Sequence, residues 1–228
     1  MKVFNMKIYL FRHGTTPWNF IFRIQGDSDI ALDPLGIKQA RFAGESLKKN
    51  GVIFDRIFSS PLCRAYRTAK EIRDTLGLTN LEIETDPRIK ELCFGDFEGH
   101  TLEELVLADN NNPFKYFKTS PELYNQYAPS FYKEKAPESL THLKERATSF
   151  LTEVIEPLQK RFPNGTILIT AHGAVNKAML MHMTGAHDIA TFWGPGLQKN
   201  CSATIIEYNG SSYEIIDYGY APCEDVDL

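Results

Sequence analysis

The sequence predicts an α/β protein: a three-layer α/β/α sandwich around a mainly parallel sheet, with an antiparallel edge pair and a helical, aromatic-rich insertion. Three observations predict it. Short apolar runs alternate with stretches of helical spacing, the pattern of parallel strands joined by crossover helices. Two of those runs, 7–11 and 166–171, lead into the same dipeptide, His13-Gly14 and His172-Gly173. Near the C-terminus two strand-like runs flank Asn209-Gly210, a hairpin signal.

Taken in order, residues 7–11 (KIYLF) form a buried strand leading into a loop that runs to about residue 33. Asp33 caps the next helix and Pro34 opens it; Ile37, Ala40, Gly44 and Leu47 keep helical spacing until Gly51 stops it. A strand follows at 54–58 (FDRIF). Ser60-Pro61 repeats the helix-start signal and predicts a helix over 61–76, with Arg64 in its first turn and Gly77 at its end. A weak strand at 81–85 closes at Asp86-Pro87, and 88–99 (RIKELCFGDFEG) has the alternation and glycines of an irregular loop. Thr101 with Glu104 makes a capping box for a short helix.

Residues 109–137 differ in composition. Pro113, Pro121, Pro129 and Pro137 punctuate seven aromatics between Phe114 and Tyr132, too many for a flexible linker. A folded insertion has three uses here: a lid facing a substrate, a satellite core, or a contact in a homodimer. Leu140, Leu143, Ala147, Phe150, Leu151, Val154 and Leu158 then predict a long amphipathic helix over 139–162, kinked at Pro157. The strand TILITA (166–171), a helix over 174–184 closed by Gly185, and strands at 201–208 and 213–218 complete the chain.

At 228 residues the chain has the length of one domain, 1–228, with the insertion at about 100–137. Its 43% hydrophobic content supports a real core, and its charge of −4 lacks the basic excess of a nucleic-acid binder. No segment approaches the ~20 apolar residues of a membrane span, and the N-terminus lacks a signal-peptide pattern. Cys63, Cys93, Cys201 and Cys223 form no C-x-x-C pair, which argues against a zinc knuckle and suits a reducing cytoplasm. His100, His142, His182 and His187 have no metal-ligand spacing, and the Met179, Met181 and Met183 cluster has the character of core packing.

The chemistry gathers at the two His-Gly pairs. If both strands are parallel in one sheet, both histidines lie at its carboxyl edge, where ligands bind in such folds. Helices starting nearby offer N–H groups to an anion, and Arg12 and Arg64 add two guanidinium forks suited to phosphate oxygens. The blocks RHGTTPWN (12–19), QG (25–26), ALDPLGIKQA (31–40), SSPLCRAYRTA (59–69), ELCFGDFEG (91–99) and TAHG (170–173) resemble the histidine phosphatase superfamily, the phosphoglycerate-mutase-like proteins, in that family's order.

The resemblance implies a metal-independent phosphomonoesterase of broad specificity, acting on a small phosphoester and releasing inorganic phosphate without a cofactor. It implies that His13 is the nucleophile that becomes phosphohistidine. Glu91 matches the general acid, whose pKa must be raised to serve near neutrality. Arg12, Arg64 and His172 match the groups that stabilise the transferring phosphoryl group. Asn19, Gln25 and Gly26 match positions lining the phosphate and substrate mouth, and Ala174 a further backbone donor. The aromatics of the insertion would favour apolar or ring-bearing leaving groups.

The same family also contains a cofactor-dependent phosphoglycerate mutase and an α-ribazole phosphate phosphatase as alternatives, with a non-catalytic phospho-ligand binder behind them. The short segment after Glu91 and FGDFEG in place of a tyrosine-containing pattern favour hydrolysis over mutase chemistry. Asp27-Ser28-Asp29 follows FRIQG rather than a buried strand, so a haloacid-dehalogenase mechanism is set aside. Pro137-Glu138-Ser139 replaces the family's Gly-Glu-Ser, and Asn176-Lys177 an apolar residue and arginine; both departures bear on the rim of the site.

Overall fold

The computed structural model describes residues 5–221. Its strands are β1 (Met6–Arg12), β2 (Arg56–Ser59), β3 (Ile83–Thr85), β4 (Thr166–Ala171), β5 (Ala203–Tyr208) and β6 (Tyr213–Tyr220), in one sheet of order β3-β2-β4-β1-β5-β6. The first four run parallel, and β5 and β6 form the antiparallel pair at one edge. The helices are α1 (Pro17–Phe20), α2 (Pro34–Lys49), α3 (Cys63–Leu76), α4 (Leu102–Ala108), α5 (Pro121–Tyr127), α6 (Leu140–Phe150), α7 (Leu158–Arg161) and α8 (Gly173–Thr184). The expected α/β class and mainly parallel sheet are what the chain forms.

Ile8–Phe11 of β1 and Ile167–Ile169 of β4 are apolar, as expected of strands covered by helices on both faces. Ile8, Leu10, Ile167 and Ile169 pack with Leu143, Ala147 and Phe150 of α6 and Val175, Ala178 and Met179 of α8. Tyr9, Phe11 and Leu168 pack with Ala40, Ala43 and Leu47 of α2 and Ala69 and Ile72 of α3. The caps follow the sequence: Gly36 N–H donates to Asp33 Oδ1 at 2.7 Å, and Thr101 and Glu104 complete their reciprocal box.

Several boundaries differ from expectation. Leu62 is extended, so α3 starts at Cys63 and Ser60-Pro61 is not its cap. The strand expected at 54–58 pairs only from Arg56 to Ser59, and that at 81–85 only from Ile83. Cys201 holds a left-handed φ of 55°, which no strand tolerates, so β5 begins at Ala203, while β6 runs on to Tyr220. Within the loop to residue 33, α1 adds one short turn. Cys223 lies outside the described residues.

The long helix is interrupted as well. Beyond α6 the backbone widens into a π-helical stretch, Leu151–Ile155, before α7 resumes after Pro157. Proline has no N–H and crowds the preceding turn; the wider bonding, Glu156 N–H to Leu151 O at 2.8 Å, accommodates it.

The aromatic segment is folded. Phe114 and Phe117 stack at 5.2 Å, and Tyr124 and Phe94 meet Phe117 edge-on at 4.9 and 5.0 Å. Phe117 and Tyr124 are buried in the same cluster as Leu140 and Phe150.

Candidate active site

Parallel pairing of β1 with β4 sets Arg12 opposite Ala171. The next residue on each strand is a histidine, so both leave the sheet together at its carboxyl edge, with ring centroids 5.2 Å apart. His13 is 3% and His172 0% exposed. Burial first, then the charges of Arg64 and Arg12, hold His13 well below the usual histidine range; burial, Arg64 and His13 do the same to His172. Both imidazoles are therefore neutral at pH 7.

The partner of His13 assigns its proton. His13 Nδ1 lies 2.7 Å from Gly14 O; a carbonyl only accepts, so Nδ1 carries the hydrogen and Nε2 keeps its lone pair. His172 Nε2 lies 2.8 Å from Ser60 Oγ, which already accepts from Leu62 N–H at 3.3 Å. A hydroxyl has one donor and two acceptor sites, so Ser60 Oγ can donate to Nε2 or accept from it; when it donates, His172 Nδ1 carries the hydrogen. His13 presents a lone pair on Nε2.

Arg64, fully buried in the first turn of α3, donates from Nη1 to Ser28 O at 2.7 Å and from Nη2 to Gly26 O at 2.6 Å. Arg12 donates from Nη1 to Gln198 O at 2.6 Å, and burial lowers its pKa to about 10, so it remains charged at neutrality. Arg12 Nε, Arg64 Nε and His172 Nδ1 are buried without a hydrogen-bond partner among the described residues. The two arginine N–H groups call for an acceptor, and a tetrahedral oxyanion supplies several.

Glu91 sits against the start of α8. Its Oε1 accepts from Leu92, Ala174 and Val175 N–H at 2.9, 3.1 and 3.2 Å, while Oε2 shares only the Ala174 N–H at 3.2 Å. The helix N–H groups expected to meet an anion thus meet a carboxylate of the protein, and Ala174 N–H reaches Glu91. The other helix start behaves likewise: Cys63 N–H donates to Asp29 Oδ1 at 2.7 Å.

The remaining predicted residues divide. Gly26 is in the site, since its carbonyl holds Arg64 and its φ of 54° is left-handed. Gln25 adjoins it with a buried Oε1 that has no partner among the described residues. Asn19 Oδ1 accepts from Thr16 N–H at 3.0 Å and Thr16 O–H at 3.1 Å, so its carbonyl closes a turn.

Three residues were not singled out from the sequence. Ser60 is the hydrogen-bond partner of His172 Nε2. Glu98 accepts from Phe94, Asp27 and Ser28 N–H at 3.0, 2.9 and 2.9 Å, clamping the strap whose carbonyls hold Arg64. Arg146 donates from Nη1 to Arg88 O and Lys90 O, both at 2.7 Å, and from Nη2 to Glu91 O at 3.0 Å, so one guanidinium fastens the Glu91 loop. Glu98, inside FGDFEG, and Ser60, inside SSPLCRAYRTA, lay in recognisable blocks without being assigned these roles; Arg146 had no sequence signal.

A cavity of about 380 Å³ adjoins Glu91, with Asp27, Lys90, Cys93, Pro129, Glu138 and Arg146 in its wall. No Phe, Tyr or Trp lines it, although Pro129 of the aromatic segment does. A larger one, about 680 Å³, lies between Phe97, α4 and residues 130–134 and includes neither histidine, neither arginine nor Glu91; size without those groups does not make it the reactive site. Among the described residues no group of three or more His, Cys, Asp or Glu could hold a metal, and no helix is long and apolar enough to cross a membrane.

Comparison with known proteins agrees with this geometry. The model of the histidine phosphatase superfamily (branch 1) matches residues 8–220. The chain is 33% identical to the uncharacterized phosphatase PhoE of Bacillus subtilis, covering 92% of this chain and 93% of that one. It is 32% identical to phosphoserine phosphatase 1 of Hydrogenobacter thermophilus (88% and 86% covered) and 31% to the probable phosphoglycerate mutase GpmB of Yersinia pestis (91% and 87%). The solved structure of Bacillus stearothermophilus YhfR superposes with a TM-score of 0.78 at 30% identity, covering 95% of this chain and 99% of that one.

Proposed function

Because the chain belongs to the histidine phosphatase superfamily (branch 1), we propose that it hydrolyses small phosphomonoesters through a phosphohistidine on His13. The observation that carries this reading is the His13 tautomer in its setting. His13 keeps Nε2 unprotonated next to buried nitrogens of Arg12, Arg64 and His172 that have no hydrogen-bond partner among the described residues.

In the first half-reaction His13 Nε2 forms a bond to phosphorus as the ester P–O bond breaks. Charge on the non-bridging oxygens is met by Arg12 and Arg64 and by His172 with its hydrogen on Nδ1, buried groups in place before the substrate arrives. Glu91 gives a proton to the departing alkoxide from Oε2, its less engaged oxygen. In the second half the Glu91 carboxylate takes a proton from water, whose oxygen attacks phosphorus; the P–N bond breaks and inorganic phosphate leaves. Gln25 and Gly26 shape the mouth, while Asn19 supports the turn beside it. The free thiols of Cys63 and Cys93 fit a reducing cytoplasm.

The test is phosphate release from p-nitrophenyl phosphate and a panel of natural phosphomonoesters, with 2- and 3-phosphoglycerate included. His13→Ala should lower release by about 1000-fold or more, EDTA should leave it intact, and an acid-labile phosphoenzyme should form only with His13 present. Release that survives His13→Ala overturns the mechanism. Interconversion of the two phosphoglycerates faster than hydrolysis makes the protein a mutase, the activity named for the Yersinia relative.

A further inference from the structure

The strap of residues 198–202, just before β5, bears on how the nucleophile is held, an inference that rests on the hydrolase reading above. It runs along the end of β1 where Arg12, His13 and Gly14 leave the sheet. Ser202 O accepts from Arg12 N–H at 3.0 Å, Cys201 N–H donates to His13 O at 3.1 Å, and Gln198 O accepts from Arg12 Nη1 at 2.6 Å. Gln198 is anchored by its own side chain: Nε2 donates to Leu10 O at 3.1 Å and Thr204 Oγ1 at 3.0 Å, and Oε1 accepts from Asn176 Nδ2 at 2.7 Å. Asn176, expected at the rim of the site, is fully buried and also reaches Phe11 O, at 3.2 Å. The strap is thereby fastened to both β1 and α8.

Within the strap, Asn200 reaches the chemistry through one carbonyl. Its Nδ2 donates to His13 O at 3.1 Å and to Gly14 O at 3.3 Å. Gly14 O is the oxygen that takes His13 Nδ1–H at 2.7 Å. Both lone pairs of that carbonyl are then engaged, and it cannot turn away from the imidazole without giving up the amide. Cys201 follows with a left-handed φ of 55°, a conformation that a non-glycine residue keeps only where its surroundings over-determine it.

We propose that Asn200 is a positioning residue for the nucleophile: by holding Gly14 O against His13 Nδ1, it keeps the hydrogen on that nitrogen and the lone pair on Nε2. The amide does this without charge. A carboxylate in its place would repel both carbonyls and draw a second proton onto His13. The ionisable groups that face His13 are Arg12, Arg64 and His172, and Glu91 acts on both arginines.

Asn200→Ala and Asn200→Asp in the full chain test this. With p-nitrophenyl phosphate, Asn200→Ala should lower kcat by about 10- to 100-fold, the scale of one buried hydrogen bond or a small misplacement, with a smaller change in KM. Nitrogen NMR of labelled histidines, with His13 identified by the signal lost in His13→Gln, should show Nδ1–H and a bare Nε2 in the wild type and a mixture of tautomers in Asn200→Ala. Asn200→Asp should move the acid limb of the kcat/KM profile to higher pH, because only neutral His13 attacks and the added charge raises its pKa. A looser fold alone would lower the profile and leave the limb in place. Should the alanine variant not fold, the isosteric Asn200→Asp and Asn200→Ser, which keeps one donor and should lose less than the aspartate, carry the test. Wild-type kcat, tautomer and acid limb in the variants, or a wild-type His13 with its hydrogen on Nε2, overturns the proposal while leaving the phosphatase standing. Absence of any His13-dependent phosphate release overturns the hydrolase reading and this role with it.

Discussion

At His13 the chemistry depends on one proton. Gly14 O holds it on Nδ1, and burial with two arginines keeps a second proton off. The same environment acts on His172, and it has a thermodynamic consequence. An unfolded histidine titrates near about 6.5, whereas these two titrate well below that when folded. Between the two values the unfolded chain binds more protons, so stability is complete above pH ~6.5 and falls as pH drops toward the folded pKa, by up to about 1.4 kcal/mol per pH unit per histidine. Urea midpoints at pH 7.5 and 5.5 should drop further for the wild type than for a His13→Gln/His172→Gln double variant. Equal drops would mean that the histidines take up protons in the native state.

Gly26 is the second informative residue. A Cβ there would lie 2.4 Å from Glu98 Oε1, and φ is 54°. Glu98 cannot swing aside, because three backbone N–H groups hold it. Gly26→Ala should cost about 1–3 kcal/mol in urea unfolding and lower kcat/KM, since the displaced carbonyl is one of the two that hold Arg64. Gly26 was legible as a family match and turn glycine, but its clash partner lies 72 positions away and no local pattern announces it.

At the scale of elements, the sequence marks what is local and repeats. Asp33-Pro34, the Thr101–Glu104 box and the terminal Gly77 and Gly185 all act as read. Ser60-Pro61 misleads because its serine, which has the chemistry of a cap, is used by His172 instead. Arg146 was not legible at all: on α6 it is one more charged residue, and its role exists only because the Glu91 loop crosses that helix. A lysine carries one point charge where the guanidinium forks onto three carbonyls. Arg146→Lys should therefore loosen Glu91 and lower kcat by up to about 100-fold, the scale of a 1 Å misplacement, with a smaller change in KM. The kcat pH profile should shift with it; an unchanged kcat and profile would deny Arg146 its positioning role.

At the scale of the molecule, the site follows from topology. Two parallel neighbours in register, each continuing into His-Gly, bring the histidines together, so the echo in the sequence was the most informative signal for fold and site alike. The aromatic segment was harder to place, because the same composition serves a lid, a satellite core or a dimer contact. Phe117 and Tyr124 join one buried cluster with Leu140 and Phe150, and Phe114, Tyr116 and Phe131 pack against it, while Tyr127 and Tyr132 are exposed; this favours a segment that folds with the rest of the chain. Trp193 reports on this directly: its ring meets Phe117 at 4.9 Å and its indole N–H donates to Phe117 O at 2.5 Å. With Trp18 replaced by phenylalanine, Trp193 becomes the sole tryptophan. Its fluorescence and the far-ultraviolet circular dichroism should then report the same urea transition, as a cooperative unit requires. Phe117→Ala should shift both together, by about 3–5 kcal/mol. A tryptophan transition that precedes the loss of helix, or a Phe117→Ala effect confined to fluorescence, would show that the segment opens by itself as a lid.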